Sequence, residues 1–331
     1  MPFISKKIQK PFQNQFMHNQ AALKNIEAIR QLLEKQPPPK LLIETLKHWD
    51  SDQNLYIKNY LNWALTTLSL IFLLAGLLFS GYYLIVCVVL FAFGLRYRIP
   101  TIELEKLKEE LRLYVLEQTY QVRFDHENPP LNHALQDYPL FQYGDKDNIV
   151  TILLAGQLVI KEKTYDYSVF KYRYSYSVEK TDEQGQTIYE SHHSNLWGVL
   201  MENFPFKGIS ISAAHKSQCH LGIEWQSSDL RFNQKYQQSG VNEFEFVKFL
   251  TPERLLALEN MMLAFHSDFY VEPHTGMMCW LLNESPLDEN NYLFQAITVT
   301  ELAEKLEQLK MPKLQRLQDA FTSLLKTLNA I

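Results

Sequence analysis

One long stretch without a charged residue dominates the hydrophobic pattern of this chain. It runs from Asn59 to Leu95 and lies between Lys58 and Arg96. A helix rises about 1.5 Å per residue, and roughly 20 apolar residues cross a hydrocarbon layer of about 30 Å. The stretch is therefore too long for one straight spanning helix. A buried helix pair in a soluble core rarely needs so many consecutive uncharged residues, so the length favours membrane helices.

A turn divides the stretch into two predicted helices. Ser80 and Gly81 have the chemistry of turn residues, and splitting the stretch there predicts helices over Tyr60–Leu78 and Tyr82–Leu95. The first is long enough to span a bilayer, whereas the second is short unless Tyr97 and its neighbours extend it. The alternative is a second helix that enters the bilayer without crossing it.

Aromatic residues lie at the ends of both predicted helices. Tyr and Trp favour the membrane–water boundary, where the ring is apolar and the polar tip stays hydrated. The residues in question are Tyr60, Trp63, Tyr82, Tyr83 and Tyr97. We therefore predict a transmembrane helical hairpin over residues 60–97, with the lipid bilayer as its partner and these five residues at its interfaces.

Basic residues flank the hairpin on both sides, and the turn inside it carries no charge. They are Lys40, Lys47 and Lys58 before it and Arg96, Arg98, Lys106, Lys108 and Arg112 after it. Because positively charged flanks stay on the cytoplasmic side, both termini are predicted to be cytoplasmic. The segment from Met1 to Lys10 is basic but no apolar run follows it, so we expect no cleavable signal peptide.

The segments next to the hairpin have helical periodicity. Residues 1–59 form an N-terminal helical region that the proline run at 37–39 interrupts. Residues 98–135 form a charged helix and a linker. An apolar stripe on that helix is expected to pack against the N-terminal helices; it consists of Leu104, Leu107, Leu111 and Tyr114. A homo-oligomeric coiled coil is the alternative, although barely two heptads are present.

Residues 136–297 have the pattern of an α+β soluble domain. The stretch VFKYRYSYSVEK alternates aromatic or apolar residues with polar ones, which predicts an antiparallel hairpin that turns at Asp182–Gly185. Its aromatic face, from Phe170 to Val178, is expected to be a sheet face covered by helices, with a ligand-stacking face as the alternative. Further strands are predicted at Gly208–Ala213, Gly222–Gln226, Leu230–Tyr236, Phe269–Val271 and Met277–Leu282, with a bulge or bend at Gly156.

Capping signals predict the later helices. Thr251 precedes Pro252, a combination that favours a helix start. Thr298 and Glu301 have the spacing of a capping box, and residues 298–331 form C-terminal amphipathic helices. The predicted fold class is α+β: N-terminal helices, a two-helix membrane hairpin, then an antiparallel-sheet-rich soluble domain with C-terminal helices.

Composition and motifs narrow the function. A net charge of −5 over 331 residues argues against nucleic acid as an obligatory partner, and three cysteines give no disulfide framework. The phosphate, dinucleotide, zinc-protease and serine-hydrolase motifs are missing, and no cofactor is predicted. His215, Cys219 and His220 have ligand spacing but lack an obvious fourth zinc ligand. We therefore favour ordinary polar residues there, and a non-enzymatic protein over a metal-dependent hydrolase.

Two segments carry a resemblance to a known family. NLWGVLMENFPFKGISIS, Asn195–Ser212, and the segment Leu230–Met262 are similar to stretches of bacterial membrane proteins grouped as domain of unknown function 3137. The resemblance covers roughly Tyr138 to Leu293, and Trp197 stands where that family would have phenylalanine. It implies a membrane-anchored α+β domain in the bacterial cytoplasmic (inner) membrane, and it brings no activity or catalytic residues.

These observations predict a membrane-anchored interaction or scaffold protein with a cytoplasmic α+β domain and another protein as its partner. A lipid-sensing or lipid-handling domain tethered to the membrane is the alternative, suggested by the aromatic sheet and the tether.

Overall fold

The computed structural model describes residues 3–50, 53–96, 98, 101–125, 138–145, 148–181, 186–213, 220–265, 268–287 and 296–328. It has the predicted α+β class, with helices at both ends of the chain and a sheet of antiparallel strand pairs between them. The chain divides into two compact units. Unit 1 contains residues 1–119 and 290–309, and unit 2 contains residues 120–289 and 310–331.

The elements follow one another along the chain with these bounds. The helices are α1 Phe3–Glu34, α2 Pro39–Lys47, α3 Tyr60–Leu78, α4 Tyr82–Arg96, α5 Ile102–Tyr120, α6 Leu230–Lys235, α7 Glu243–Phe249, α8 Pro252–Phe265, α9 Val299–Glu307 and α10 Pro312–Leu328. The strands are β1 Val122–Phe124, β2 Asn148–Ile160, β3 Lys163–Thr181, β4 Thr187–Met201, β5 Ile209–Ala213, β6 Ile223–Trp225, β7 Tyr236–Gly240, β8 Asp268–Val271 and β9 Met278–Leu282.

The core of unit 1 contains helices that precede α3 in the sequence and helices that follow α4. It confirms the expected packing of the α5 stripe against the N-terminal helices. The buried residues come from α1, α2, α5 and α9, and include Ile26, Ile29, Leu42, Leu46, Leu104, Leu107, Leu111, Leu302 and Leu306. The 3.6-residue period places each apolar stripe on one helix face, so the four helices exclude water together.

The predicted capping signals are present. The Thr298 Oγ1 accepts the Glu301 N–H at 3.1 Å, and the Glu301 carboxylate accepts the Ile297 N–H at 2.9 Å. These bonds satisfy donors at the start of α9 that would otherwise lack helical partners. Helix α8 begins at Pro252, as predicted from Thr251 and Pro252.

The sheet of unit 2 has the strand order β1-β2-β3-β4-β9-β8-β5-β7-β6. Its longest pair, β3 with β4, keeps one register from Tyr167 opposite Met201 to Thr181 opposite Thr187, which confirms the predicted antiparallel hairpin. The predicted turn at 182–185 lies outside the described residues.

Alternate residues of the central strands pack against different elements. On one face, Trp280 of β9 contacts Phe265 of α8 and Phe321 of α10, with ring centroids 5.4 and 5.1 Å apart. On the other face, Phe170 and Tyr172 pack against the 3₁₀ turn at Pro139–Phe141. The sequence analysis expected helices to cover this aromatic face. At Phe170 and Tyr172 the cover is a short turn instead.

Two local predictions were wrong. The predicted strand Leu230–Tyr236 is helix α6, because the Asp229 carboxylate caps it by accepting the N–H groups of Arg231 and Phe232. The bulge in β2 falls between Ile152 and Leu154 instead of at Gly156. Position 156 has no room for a side chain, since a Cβ there would lie 2.5 Å from the ring of Tyr167.

The two units divide the chain differently from the predicted segments. Strand β1, within the predicted linker 98–135, pairs with β2 and belongs to the sheet. The predicted C-terminal segment 298–331 is shared, because α9 joins unit 1 whereas α10 joins unit 2. Packing of α9 with α2 and α5 across long sequence separations produces this division.

Candidate membrane anchor

Helix α3 is long and apolar enough to cross a membrane. It has 19 residues, the most apolar 18-residue window in it has a mean hydropathy of 1.9, and 6% of that window is buried. Leu77 is 71% exposed and Phe79, just after the helix, is 82% exposed. A soluble core helix of this composition would hide most of that surface. Helix α4 is as apolar but has 15 residues.

Polar side chains of α3 donate hydrogen bonds to backbone carbonyl groups of α4. The Asn62 Nδ2 donates to the Gly94 carbonyl at 2.6 Å, and the Ser69 hydroxyl donates to the Cys87 carbonyl at 3.1 Å. Gly94 allows the close approach, since a Cβ there would lie 3.2 Å from the Thr66 Cγ2. Small and polar residues on facing sides are typical of helix pairs in lipid. Their spacing along α3 was a signal that the sequence analysis missed.

The predicted interfacial aromatic residues lie at both ends of the helix pair. Tyr60 and Trp63 are at the start of α3, and Trp63 is 71% exposed. Tyr82 and Tyr83 are at the start of α4, at the other end of α3, and Tyr82 is 81% exposed. The length of α3 separates the two groups by about 28 Å, close to the thickness of a hydrocarbon core. The fifth residue, Tyr97, lies outside the described residues.

Side-chain amides of α1 hold the segment that leads into α3. The Asn19 side chain binds both backbone groups of Lys58, donating to its oxygen at 2.7 Å and accepting its N–H at 2.8 Å. Gln15 donates to the same oxygen and accepts the Leu61 N–H. On the other edge, the Leu55 N–H donates to the Ile297 oxygen at 2.9 Å. The base of α3 is therefore fixed to the core of unit 1.

One basic residue of the predicted cytoplasmic flank is buried. Lys108 is 4% exposed, and its ammonium donates to the Ala296 carbonyl at 2.7 Å. Burial is the main cause that lowers the pKa of Lys108, and the nearby Lys305 lowers it further. Lys108 therefore stabilises unit 1 internally and adds little to the basic surface next to the hairpin.

One of the three weak metal candidates, His220, lies in the described part of the chain. The described residues contain no group of three or more His, Cys, Asp or Glu side chains placed to hold a metal ion. His220 is an exposed residue before β6. His215 and Cys219 lie outside the described part of the chain.

The tyrosine face of β3 divides into a buried and a partly exposed half. Tyr172 is fully buried, and burial raises its pKa to about 12, although nearby hydrogen bonds oppose the shift. Tyr174 and Tyr176 are half-buried, with ring centroids 6.0 Å apart. His192 of β4 stacks on Tyr176 at 5.8 Å. The rings therefore form a continuous packed row.

A buried carboxyl group lies beside this row. The Tyr143 hydroxyl donates to the Asp268 carboxylate at 3.2 Å, and the Ala213 N–H lies 3.4 Å from its other oxygen. Burial raises the pKa of Asp268 above its ordinary value, since these hydrogen bonds offset only part of the lost hydration.

Comparisons with known proteins add nothing to this geometry. No protein-family model, no curated protein and no solved structure matches this chain. The resemblance to domain of unknown function 3137 therefore stays a prediction.

Proposed function

We propose that this chain is a membrane-anchored, non-enzymatic interaction or scaffold protein of the bacterial inner membrane. Helices α3 and α4 cross the membrane as a hairpin, and the rest of unit 1 lies in the cytoplasm together with unit 2, where the partner is another protein. The exposed apolar surface of α3 and α4 supports the anchor, and the basic flanks support the orientation.

The observation that carries the two-crossing proposal is the shared core of unit 1. Helices α1 and α2 precede the hairpin, helix α5 follows it, and all three are packed together with α9. Segments that share one hydrophobic core lie on the same side of a membrane. If α3 crosses the bilayer, α4 must return the chain to the side from which it started.

The shortness of α4 is compatible with this return. Its 15 residues span about 22 Å, less than a full hydrocarbon core. Arg96 ends the helix, and its long side chain can reach the headgroup region while the stem stays in the apolar layer. Local thinning of the bilayer costs only fractions of a kcal/mol per Å of mismatch.

The lipid-handling alternative has less support. It depends on an aromatic sheet face that could accept an acyl chain, but Phe141 and its neighbours already pack against Phe170 and Tyr172. That part of the face is filled, so the interaction reading is preferred.

Thiol labelling tests the anchor in cells that express the full chain with its three native cysteines replaced. Gly81→Cys lies in the turn of the hairpin, where no atom approaches within 4 Å of an added Cβ. The control Glu304→Cys lies on the exposed side of α9. A membrane-impermeant reagent should label position 81 in intact cells and position 304 only after permeabilisation.

Other labelling patterns would contradict parts of the proposal. Labelling of position 304 from outside would reverse the orientation. Protection of position 81, in a protein that stays in carbonate-washed membranes, would replace the spanning hairpin by one that enters and leaves on one side. Recovery of the protein in the soluble fraction would refute the anchor altogether.

A further inference from the structure

Strands β3 and β4 extend as a two-stranded ribbon beyond the strands beside them. Strand β2 pairs with β3 only as far as Tyr174, and β9 pairs with β4 only from Trp197 to Met201. Within the described residues, β4 from Thr187 to Leu196 is paired with β3 on one side and has no strand on the other. We call this free side the β4 edge.

The two edges of the ribbon differ. On the β3 side, the Asp145 N–H donates to the Ser175 carbonyl at 3.1 Å, and the Asp145 carboxylate accepts the Ser177 N–H at 3.2 Å. Asp145 therefore covers that side of the ribbon. Along Thr187–Leu196 the structure describes no such cover for the β4 edge.

Apart from the charge of Glu190, the β4 edge has little of the usual protection against strand pairing. Natural edge strands are blunted by lysines, prolines, bulges or shortness. Residues 187–196 contain no lysine, arginine or proline, and the register with β3 is unbroken along them. Ile188 is 47% exposed and Tyr189 is 70% exposed. The edge is long, without a bulge and partly apolar, which favours pairing with another strand.

The sequence of the edge is complementary to itself in one antiparallel register. With a two-fold axis at Ser191, Glu190 lies opposite His192 of a second copy, and Tyr189 lies opposite His193. The Glu190 carboxylate, which also binds Lys180 of its own chain, then faces an imidazole twice, and a protonated imidazole opposite a carboxylate contributes favourably. Shifting the register by two residues would place Glu190 opposite Glu190 or His192 opposite His192, which brings like groups together.

We propose that the β4 edge pairs with the β4 edge of a second copy of this chain, antiparallel and with the two-fold axis at Ser191. In this register Thr187 lies opposite Asn195, so the pairing ends just before β9 joins β4 at Trp197. The pairing goes beyond the proposed anchoring and does not require it. Confinement of both copies to one membrane would raise their effective concentration and strengthen it.

Site-specific crosslinking tests the register with the full chain. Ser191→Cys places two thiols directly opposite each other across the axis, where Cα atoms of paired strands lie about 4.5–5.5 Å apart. The matched control Asn195→Cys is also exposed and on the same face of β4. In the proposed register, position 195 of one copy lies eight positions along the strand, or about 26 Å, from position 195 of the other copy. The unmodified chain, with its three native cysteines, gives the background.

A short thiol-to-thiol crosslinker is applied to whichever fraction of broken cells contains the protein, so the result is independent of the membrane proposal. We expect roughly tenfold more dimer from Ser191→Cys than from Asn195→Cys, because thiol bridging requires close Cα atoms. Mixing Thr187→Cys and Asn195→Cys chains should restore the dimer, since those positions are opposed.

A charge exchange provides a second test. Glu190→Lys should reduce the Ser191→Cys dimer severalfold, and adding His192→Glu should restore it, since the opposed pair is again complementary. Equal crosslinking at positions 191 and 195 would refute the register. Monomer alone at position 191, or crosslinking there to a different protein, would refute self-pairing.

Discussion

Arg254 offers the sharpest test of how unit 2 is held together. The residue is 1% exposed, and its guanidinium binds carbonyl groups at the ends of two helices. One nitrogen donates to the Lys248 oxygen of α7 at 2.6 Å, and the other lies 3.4 Å from the Thr327 oxygen of α10. The face of Phe206 lies 5.1 Å away. The negative ends of two helix dipoles therefore surround the cation.

The cost of removing this cation follows from those contacts. A hydrogen bond from a charged group contributes about 1.5–3 kcal/mol, and the 2.6 Å bond is the one with good geometry. The 3.4 Å contact is long and contributes less. A cation at a partly buried helix C-terminus contributes up to about 2 kcal/mol. Arg254→Met should therefore lower the free energy of unfolding of unit 2 by about 2–4 kcal/mol.

Thermal unfolding of the full chain measures this loss, in a background whose other four tryptophans are replaced by phenylalanine so that the fluorescence of buried Trp280 follows unit 2. A change of 1 kcal/mol moves Tm by about 2–4 °C for a unit of this size, so we expect Arg254→Met to lower Tm by roughly 4–16 °C. Arg316→Met, on the exposed side of α10, is the control and should change stability by less than about 0.5 kcal/mol. Arg254→Lys keeps the charge but loses the fork, and should fall between the two.

An unchanged or raised Tm for Arg254→Met would refute this reasoning. Burying a charge is itself costly, and apolar replacements of buried ions are sometimes neutral or stabilising. The Arg254 Nε also has no hydrogen-bond partner among the described residues. In that case the cost of burying the cation would be at least as large as the stabilisation from the two helix ends, and those contacts would contribute little net stability.

Two further predictions concern a carboxyl group and a glycine. Asp268→Asn should stabilise the protein at neutral pH. Burial raises the pKa of Asp268 in the folded state, so the stability of the unmodified protein falls as the pH rises from the unfolded-state pKa of about 3.9 through the folded-state pKa. Denaturant titrations should show the advantage shrinking towards acid pH, and exposed Asp319→Asn should show none. Gly94→Leu should push α3 away from α4 at Thr66 and lower the free energy of unfolding by about 1–3 kcal/mol. Thermal melts in detergent measure this loss, and Gly81→Leu is the control that should be nearly neutral. Equal effects of the two glycine variants would contradict the close packing.

Local signals in the sequence predicted the parts of the fold that depend on local chemistry. The bounds of α3 agree with the predicted Tyr60–Leu78, because the loss of charge fixes one end and the Ser80-Gly81 turn fixes the other. The β3–β4 hairpin was predictable from its strict alternation. The start of α9 was predictable from Thr298 and Glu301, because a cap acts over only three residues.

Features that depend on distant partners were not predictable. Strand β7 has the polar sequence YQQSG, yet Gln238 and Ser239 are buried in the sheet. The Gln238 Nε2 donates to the Asn233 side-chain oxygen at 2.8 Å, and the Ser239 hydroxyl accepts the Leu221 N–H at 2.9 Å, whereas the Gln238 Oε1 has no hydrogen-bond partner among the described residues. The binding of Asn19 to Lys58 spans 39 positions of sequence. Neither partnership leaves a periodic or compositional signal, so only the folded arrangement reveals it.

The interleaving of the two units has a consequence for how the protein can be made. The chain leaves unit 1 at residues 119–120, returns at 289–290 and leaves again at 309–310. Domains tend to fold in the order of synthesis, but unit 1 cannot close its core until Leu302 and Leu306 have left the ribosome. Its apolar faces stay uncovered while almost all of unit 2 is translated. A premature stop near residue 296 would therefore damage both units together, and no single cut in the chain would separate one intact unit from the other.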